Sequence, residues 1–223
     1  MSNEVVVVVA GGEPPSVDIS SVPDGATVVA ADRGVEHAQA LGLDVDLVVG
    51  DLDSASPDAV LAAEAAGARI EKHPAEKDLT DLELALHSAL ALSPARILVL
   101  AGDGGRIDHL LASLLVLGRP AWADVDVDAE MGAATVHVVR RERELQGRPG
   151  ELVSLLALGG PAENVRTEGL AYPLAGETLE PGSTRGISNV FVGERARVSV
   201  ERGVLLAVRP DRRPFVATSK EAT

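Results

Sequence analysis

Five aspartates, Asp32, Asp51, Asp53, Asp81 and Asp108, each stand beside a segment of strong apolar patterning. Asp32 directly follows Thr27–Ala31, and Gly50-Asp51-Leu52-Asp53-Ser54 follows Leu47–Val49. Lys77 and Thr80-Asp81 come after a weaker apolar segment, Ala68–Lys72, and Gly102-Asp103-Gly104-Gly105-Arg106-Ile107-Asp108-His109 follows Arg96–Ala101. Carboxylates in this number suit a hard divalent cation such as Mg²⁺, which takes oxygen ligands from one or two carboxylates together with substrate phosphates. Asp51 and Asp53, two apart in a turn, are placed to grip one ion jointly. Asp32, Asp81 and Asp108 are placed to complete the site, orient its waters or accept a proton from an attacking hydroxyl. Arg106 and Lys77 would neutralise phosphate oxygens, and the glycines of Gly11-Gly12 and Gly104-Gly105 let backbone N–H groups approach phosphates closely. Metal ions plus positioning are what phosphoryl-type transfer chiefly needs.

The elements that must position these residues follow from periodicity. Val5–Ala10 is a continuous β-branched run ending in Gly11-Gly12, the pattern of a strand buried on both faces. Thr27–Ala31, Leu47–Val49 and Arg96–Ala101 read the same way. Helices are expected over Gly34–Leu41, over Pro57–Ala66 with proline at an early position, and over Thr80–Leu92, where Thr80 and Glu83 form a T-x-x-E capping box. Ile107–Leu117 carries Ile107, Leu110, Leu111, Leu114 and Leu115 at helical spacing. Alternating strands and helices imply a parallel sheet, and every acidic loop would then emerge at the carboxyl ends of its strands, where open sheets bind ligands. Asp and Gly are also ordinary residues of such turns, and Thr80 and His109 have ordinary helix roles; recurrence at one edge is what separates the functional reading from that one.

Beyond about residue 125 the pattern changes to short β segments, at Thr135–Val139, Leu152–Leu156, Asn189–Val192, Ala196–Val200 and Leu205–Val208, separated by Gly, Pro and Asn turns. The expectation is an α/β N-terminal domain with a parallel sheet, residues 1–130, followed by a smaller all-β, sandwich-like C-terminal domain, residues 131–223.

Composition narrows the partners. The chain of 223 residues is 46% apolar with only four aromatics, so its core must be aliphatic. A formal charge of −14 repels phosphate backbones and anionic lipid, arguing against nucleic acid or membrane as partner; a polyphosphate remains compatible if metal ions stand between. Cysteine is absent, which excludes disulfides and thiolate metal sites and favours an intracellular setting. Val5–Ala10 is too short to span a bilayer and lacks a basic leader, so a cytoplasmic protein is expected.

In order along the chain, Asp32-Arg33-Gly34, Gly50-Asp51-Leu52-Asp53-Ser54, Lys77-Asp78-Leu79-Thr80-Asp81 and Gly104-Gly105-Arg106-Ile107-Asp108-His109 resemble the motifs of the thiamine pyrophosphokinases. Gly169-Leu170-Ala171-Tyr172-Pro173-Leu174 and Gly186-Ile187-Ser188-Asn189 resemble segments of that family's thiamine-binding β-domain. The resemblance implies a homodimer that binds ATP and Mg²⁺ at the aspartate-rich edge and thiamine in a cleft between subunits. The thiamine hydroxyl would attack the β-phosphorus of ATP, with AMP leaving. By the same resemblance Asp51, Asp53, Asp81 and Asp108 would handle the metal, Asp32 would lie near the substrate hydroxyl, and Ser188 and Asn189 would help bind the thiamine pyrimidine. The chain departs from the pattern at Ala207, where some members carry tryptophan, and at Leu52, where phenylalanine is more usual. Two rival readings remain: a diphosphokinase acting on a hydroxymethyl-pterin or another primary alcohol, and a non-catalytic nucleotide or thiamine sensor. A Mg²⁺-dependent hydrolase ranks behind both, because nothing in the sequence positions a water.

Overall fold

A computed structural model describes residues 5–17, 19–76 and 78–210. The chain divides into two compact units, residues 1–133 and 134–223. In the first, strands β1 (Val5–Val9), β2 (Thr27–Ala31), β3 (Leu47–Gly50), β4 (Arg69–Lys72), β5 (Arg96–Ala101) and β6 (Asp126–Met131) alternate with helices α1 (Gly34–Ala40), α2 (Pro57–Ala66), α3 (Asp81–Ala91) and α4 (Ile107–Leu117). The strands run parallel in the order β6-β5-β1-β2-β3-β4. The chain moves outward from β1 to β4, then crosses back to place β5 on the other side of β1. The order therefore reverses between β1 and β5, and the crevice outside the carboxyl ends of the strands at that point is where sheets of this kind bind ligands.

Burial explains the continuous apolar runs. Val6 to Val9 are fully buried, with Val7 and Val9 packing among Val28, Ala38, Leu98 and Leu100. A second cluster joins Ala30, Val35 and Val48 to Ala55 and Ala63, tying α1 and α2 to the sheet. Helix α3 buries Leu82, Ala85, Leu86 and Ala89. Its capping box is half formed: Thr80 Oγ1 accepts the Glu83 N–H at 3.2 Å, but the Glu83 carboxylate pairs with Arg119 instead of turning back.

Two features of this unit escape the periodicity. Strand β6 reads Asp-Val-Asp-Ala-Glu-Met, too acidic to look buried, yet Asp128 and Glu130 are both buried. Arg96 on the neighbouring strand meets Asp128 at 2.7 Å, which supplies the pairing a buried carboxylate needs. Helix α4 leaves much of its apolar stripe uncovered. Ile107, Leu111 and Leu115 are exposed, and the helix buries only Val116 and Leu117.

The second unit is all β. One antiparallel sheet runs β12-β9-β14-β7, from β7 (Ala134–Val139), β9 (Leu152–Ala157), β12 (Asn189–Val190) and β14 (Leu205–Arg209). The other runs β11-β10-β13-β8, from β8 (Glu142–Gln146), β10 (Ala162–Glu168), β11 (Ala175–Leu179) and β13 (Arg195–Ser199). Leu145, Val165, Leu179 and Val198 from one sheet share a core with Val139, Val153, Leu155, Leu205 and Ala207 from the other. Strands β8 and β10 escape the periodicity because charged residues fill their outward positions, and β11 because its Ala-Gly-Glu-Thr-Leu run offers one buried apolar residue, Leu179.

Candidate active site

Asp32 stands in the two-residue turn between β2 and α1. Its backbone is left-handed, with φ at 49°, and its N–H donates to the Val49 carbonyl at 2.8 Å. This carries its side chain out over the end of β3, and the residue as a whole is only 5% exposed. The turn after β3 is equally unusual: Leu52 has φ at 64°, and the Asp53 N–H donates to Asp51 Oδ1 at 3.2 Å. The turn is anchored from α1, where Glu36 Oε1 accepts the Ser56 N–H at 2.7 Å.

Asp32, Asp51 and Asp53 each offer a carboxylate oxygen, and the three lie within 4.8 Å of one another. Asp81, the first residue of α3, stands alongside. A Cβ on Gly50 would lie 3.1 Å from both Asp32 Cβ and Asp81 Oδ1, so only glycine lets the two carboxylates close over the end of β3. The Asp32 carboxyl is pushed above the usual carboxylate range. Burial is the main cause; the hydrogen bond from Ser54 opposes it, and Asp81, Asp51 and Asp53 add repulsion. Asp32 Oδ1 is buried with no hydrogen-bond partner. A hard divalent cation fits this donor set, since it would answer that oxygen and relieve the crowding of charge.

The loop after β5 is a separate locus. Arg106 and Asp108 form a two-bonded pair, Nε to Oδ1 at 3.2 Å and Nη2 to Oδ2 at 2.6 Å. Arg106 holds the Asp108 carboxyl down at about 2. Asp108 thus stands outside the three-carboxylate group, engaged by its own neighbour two residues away. Gly104, Gly105, Arg106 and His109 are all exposed. Glu13, just past β1, lies against this loop: a Cβ on Gly105 would come within 3.1 Å of its Cγ, and one on Gly102 would collide with its carbonyl oxygen. The loops after β1 and β5 therefore meet at the switch point. Nothing in the sequence spacing around Glu13 marks it. Thr80 acts as the N-cap of α3, and Lys77 lies outside the described residues.

In the second unit Asn189 is buried and its carboxamide makes three hydrogen bonds. Oδ1 accepts the Tyr172 N–H and the Val190 N–H, both at 2.9 Å, and Nδ2 donates to the Tyr172 carbonyl at 2.7 Å. Asn189 holds the Tyr172 loop in place. Ser188 is exposed with φ at 57°, its N–H donating to Ser154 Oγ at 3.1 Å. Tyr172, Ile187 and Val192 are exposed in the same unit. Ala207 is fully buried in β14, between His137 of β7 and Leu155 of β9. Trp122 is packing: it is fully buried, its Nε1–H donating to the Leu117 carbonyl at 2.8 Å.

Comparison with known proteins places these units. Residues 22–128 match the thiamin pyrophosphokinase catalytic domain, and residues 135–205 match the thiamin pyrophosphokinase vitamin B1 binding domain. Thiamine pyrophosphokinase of Bacillus subtilis (strain 168) is 26% identical over 219 residues, covering 92% of this chain and 98% of the relative. The solved structure of the Bacillus subtilis enzyme superimposes with a TM-score of 0.81 at 24% identity, over 93% of this chain and 99% of that one. A thiamin pyrophosphokinase family protein from Enterococcus faecalis gives 0.76 at 28% identity, over 92% of this chain and 98% of that one. With both domain models in order along one chain and the acidic edge in place, this protein belongs to the thiamin pyrophosphokinase family.

Proposed function

We propose that this protein transfers a diphosphate from ATP to the hydroxyl of thiamine, giving thiamine diphosphate and AMP. The observation that carries the reading is the carboxylate group at the carboxyl edge of the sheet, in one chain with a unit matching the vitamin B1 binding domain. Asp32, Asp51 and Asp53 would hold Mg²⁺, with Asp81 beside them; bound there, it would neutralise polyphosphate charge and draw electrons from the β-phosphorus. The thiamine oxygen bonds to the β-phosphorus, the bond from that phosphorus to the oxygen of AMP breaks, and the hydroxyl proton passes to a carboxylate of the group. Arg106, held by Asp108 in the loop after β5, would neutralise polyphosphate oxygens from there. In the second unit Asn189 holds the loop that carries Tyr172.

The homodimer and the cytoplasmic setting belong to the same reading. The family resemblance supports the first. The absence of cysteine supports the second, and among the described residues no helix is long and apolar enough to cross a membrane. AMP release from ATP and Mg²⁺, measured with and without thiamine, tests the reaction. Release that requires thiamine, with thiamine diphosphate as co-product, is expected. Release with a hydroxymethyl-pterin but not with thiamine would overturn the substrate, and no release with any alcohol would favour a sensor.

A further inference from the structure

We propose that Ser54 is a positioning residue for the metal site: its hydroxyl holds one oxygen of Asp32 so that the other faces the cation. The inference rests on the reading of Asp32, Asp51 and Asp53 as metal ligands. Ser54 lies 22 positions along the chain from Asp32, in the turn after β3, and its Oγ–H donates to Asp32 Oδ2. The other oxygen, Oδ1, is buried with no hydrogen-bond partner. The Asp32 backbone is already held by its left-handed φ and its bond to Val49, which leaves the rotation of the carboxylate as the freedom to be removed. Ser54 removes it. A carboxylate tethered at one oxygen presents a single ligand atom in a fixed direction, which suits the strict octahedron of Mg²⁺ better than a freely rotating group. Ser54 itself is exposed, so deleting its hydroxyl opens no cavity.

Removing such a support from outside the ligand set weakens metal binding by roughly 10-fold or more. The experiment measures Mn²⁺ alone, without nucleotide, by the loss of its free-ion electron paramagnetic resonance signal on titration into wild type, Ser54→Ala and Ser54→Thr. Melting temperatures are recorded in chelator. The expected result is about 10-fold weaker Mn²⁺ binding in Ser54→Ala, wild-type binding in Ser54→Thr, and unchanged melting of both without metal. A Ser54→Ala protein that binds Mn²⁺ as the wild type does would overturn the positioning role while leaving the metal site standing. Equal weakening in both variants, or a fall in melting that accounts for the weakening, would overturn it as well. Failure of the wild type to take up Mn²⁺ would instead overturn the metal reading on which the proposal stands.

Discussion

Replacing Asp51 with asparagine should make the protein more stable and less active, and the order of stability should reverse when Mg²⁺ is added. Carboxylate oxygens 4.8 Å apart repel by about 3.5 kcal/mol at an effective dielectric of ~20, and Asp51 faces two such partners. Asp53 is exposed and Asp51 partly so, and solvent screening reduces interactions of that kind to about 1 kcal/mol or less each. Neutralising Asp51 should therefore relieve up to about 2 kcal/mol in the metal-free protein, and asparagine keeps the Oδ1 that accepts the Asp53 N–H. In a chain of this size one kcal/mol moves Tm by about 2–4 °C, so the variant should melt several degrees higher in chelator. Mg²⁺ at about a hundred times its Kd adds about 2.7 kcal/mol to the wild type alone, which reverses the order. Differential scanning calorimetry with and without Mg²⁺ reads both effects, and kcat should fall about 10²-fold. A variant that melts lower than the wild type in chelator, or gains as much from Mg²⁺, would refute the reasoning, because Asp51 would then be a structural partner and not a ligand.

Gly50→Ala places a Cβ 3.1 Å from Asp32 and from Asp81 at φ 151°. It should cost about 2–4 kcal/mol by strain and crowding and abolish turnover, checked by chemical denaturation and AMP release. Asn189→Ala strips both backbone partners from Tyr172 and should cost about 2 kcal/mol, with KM for thiamine rising more than KM for ATP. Asp108 should titrate at about 2 by carbon NMR of its carboxyl, returning toward 3.8 in Arg106→Ala. Because the folded value is the lower one, the pair supports the fold above the ordinary carboxylate range, and that support is lost as pH falls toward 2.

What the sequence reveals here is whatever is encoded locally. The run Val5–Val9 can only be a strand buried on both faces, and Thr80 with Glu83 marks the start of α3 within a residue. The loops carrying Asp32, Asp51 and Asp81 follow from that alternation. Long-range pairing is not encoded in any window. The acidic strand β6 becomes buriable only once Arg96 is placed beside Asp128, and the Ser54–Asp32 bond joins residues in different loops. Asp108 stands at a strand-to-helix turn like the other aspartates, so its motif alone does not set it apart. Its distinction is the guanidinium two residues earlier, which claims both its oxygens. Asn189 enters the thiamine reading only through the resemblance of its motif, and its bonds to the Tyr172 backbone 17 positions away are not encoded in that motif.

The acidic turn also shows how a strained conformation is kept in place. Leu52 sits between the two paired aspartates with φ at 64°, a region that costs a non-glycine residue on the order of 1 kcal/mol. Its side chain packs against the cluster of Ala30, Val35, Val48 and Ala63, so the core under α1 and α2 holds the turn that aims Asp51 and Asp53. Leu52→Ala keeps the backbone strain and removes the anchor. Since Leu52 is only partly buried, the loss should be about 1–2 kcal/mol, well below that of a fully buried leucine. The Mg²⁺ concentration giving half-maximal rate should rise several-fold, while Leu52→Phe, which restores an apolar anchor, should keep it near the wild-type value. Should Leu52→Ala lose stability yet keep the wild-type Mg²⁺ dependence, the turn would be held by its hydrogen bonds to Asp51 and Glu36 alone, and the packing beneath it would have no part in metal binding.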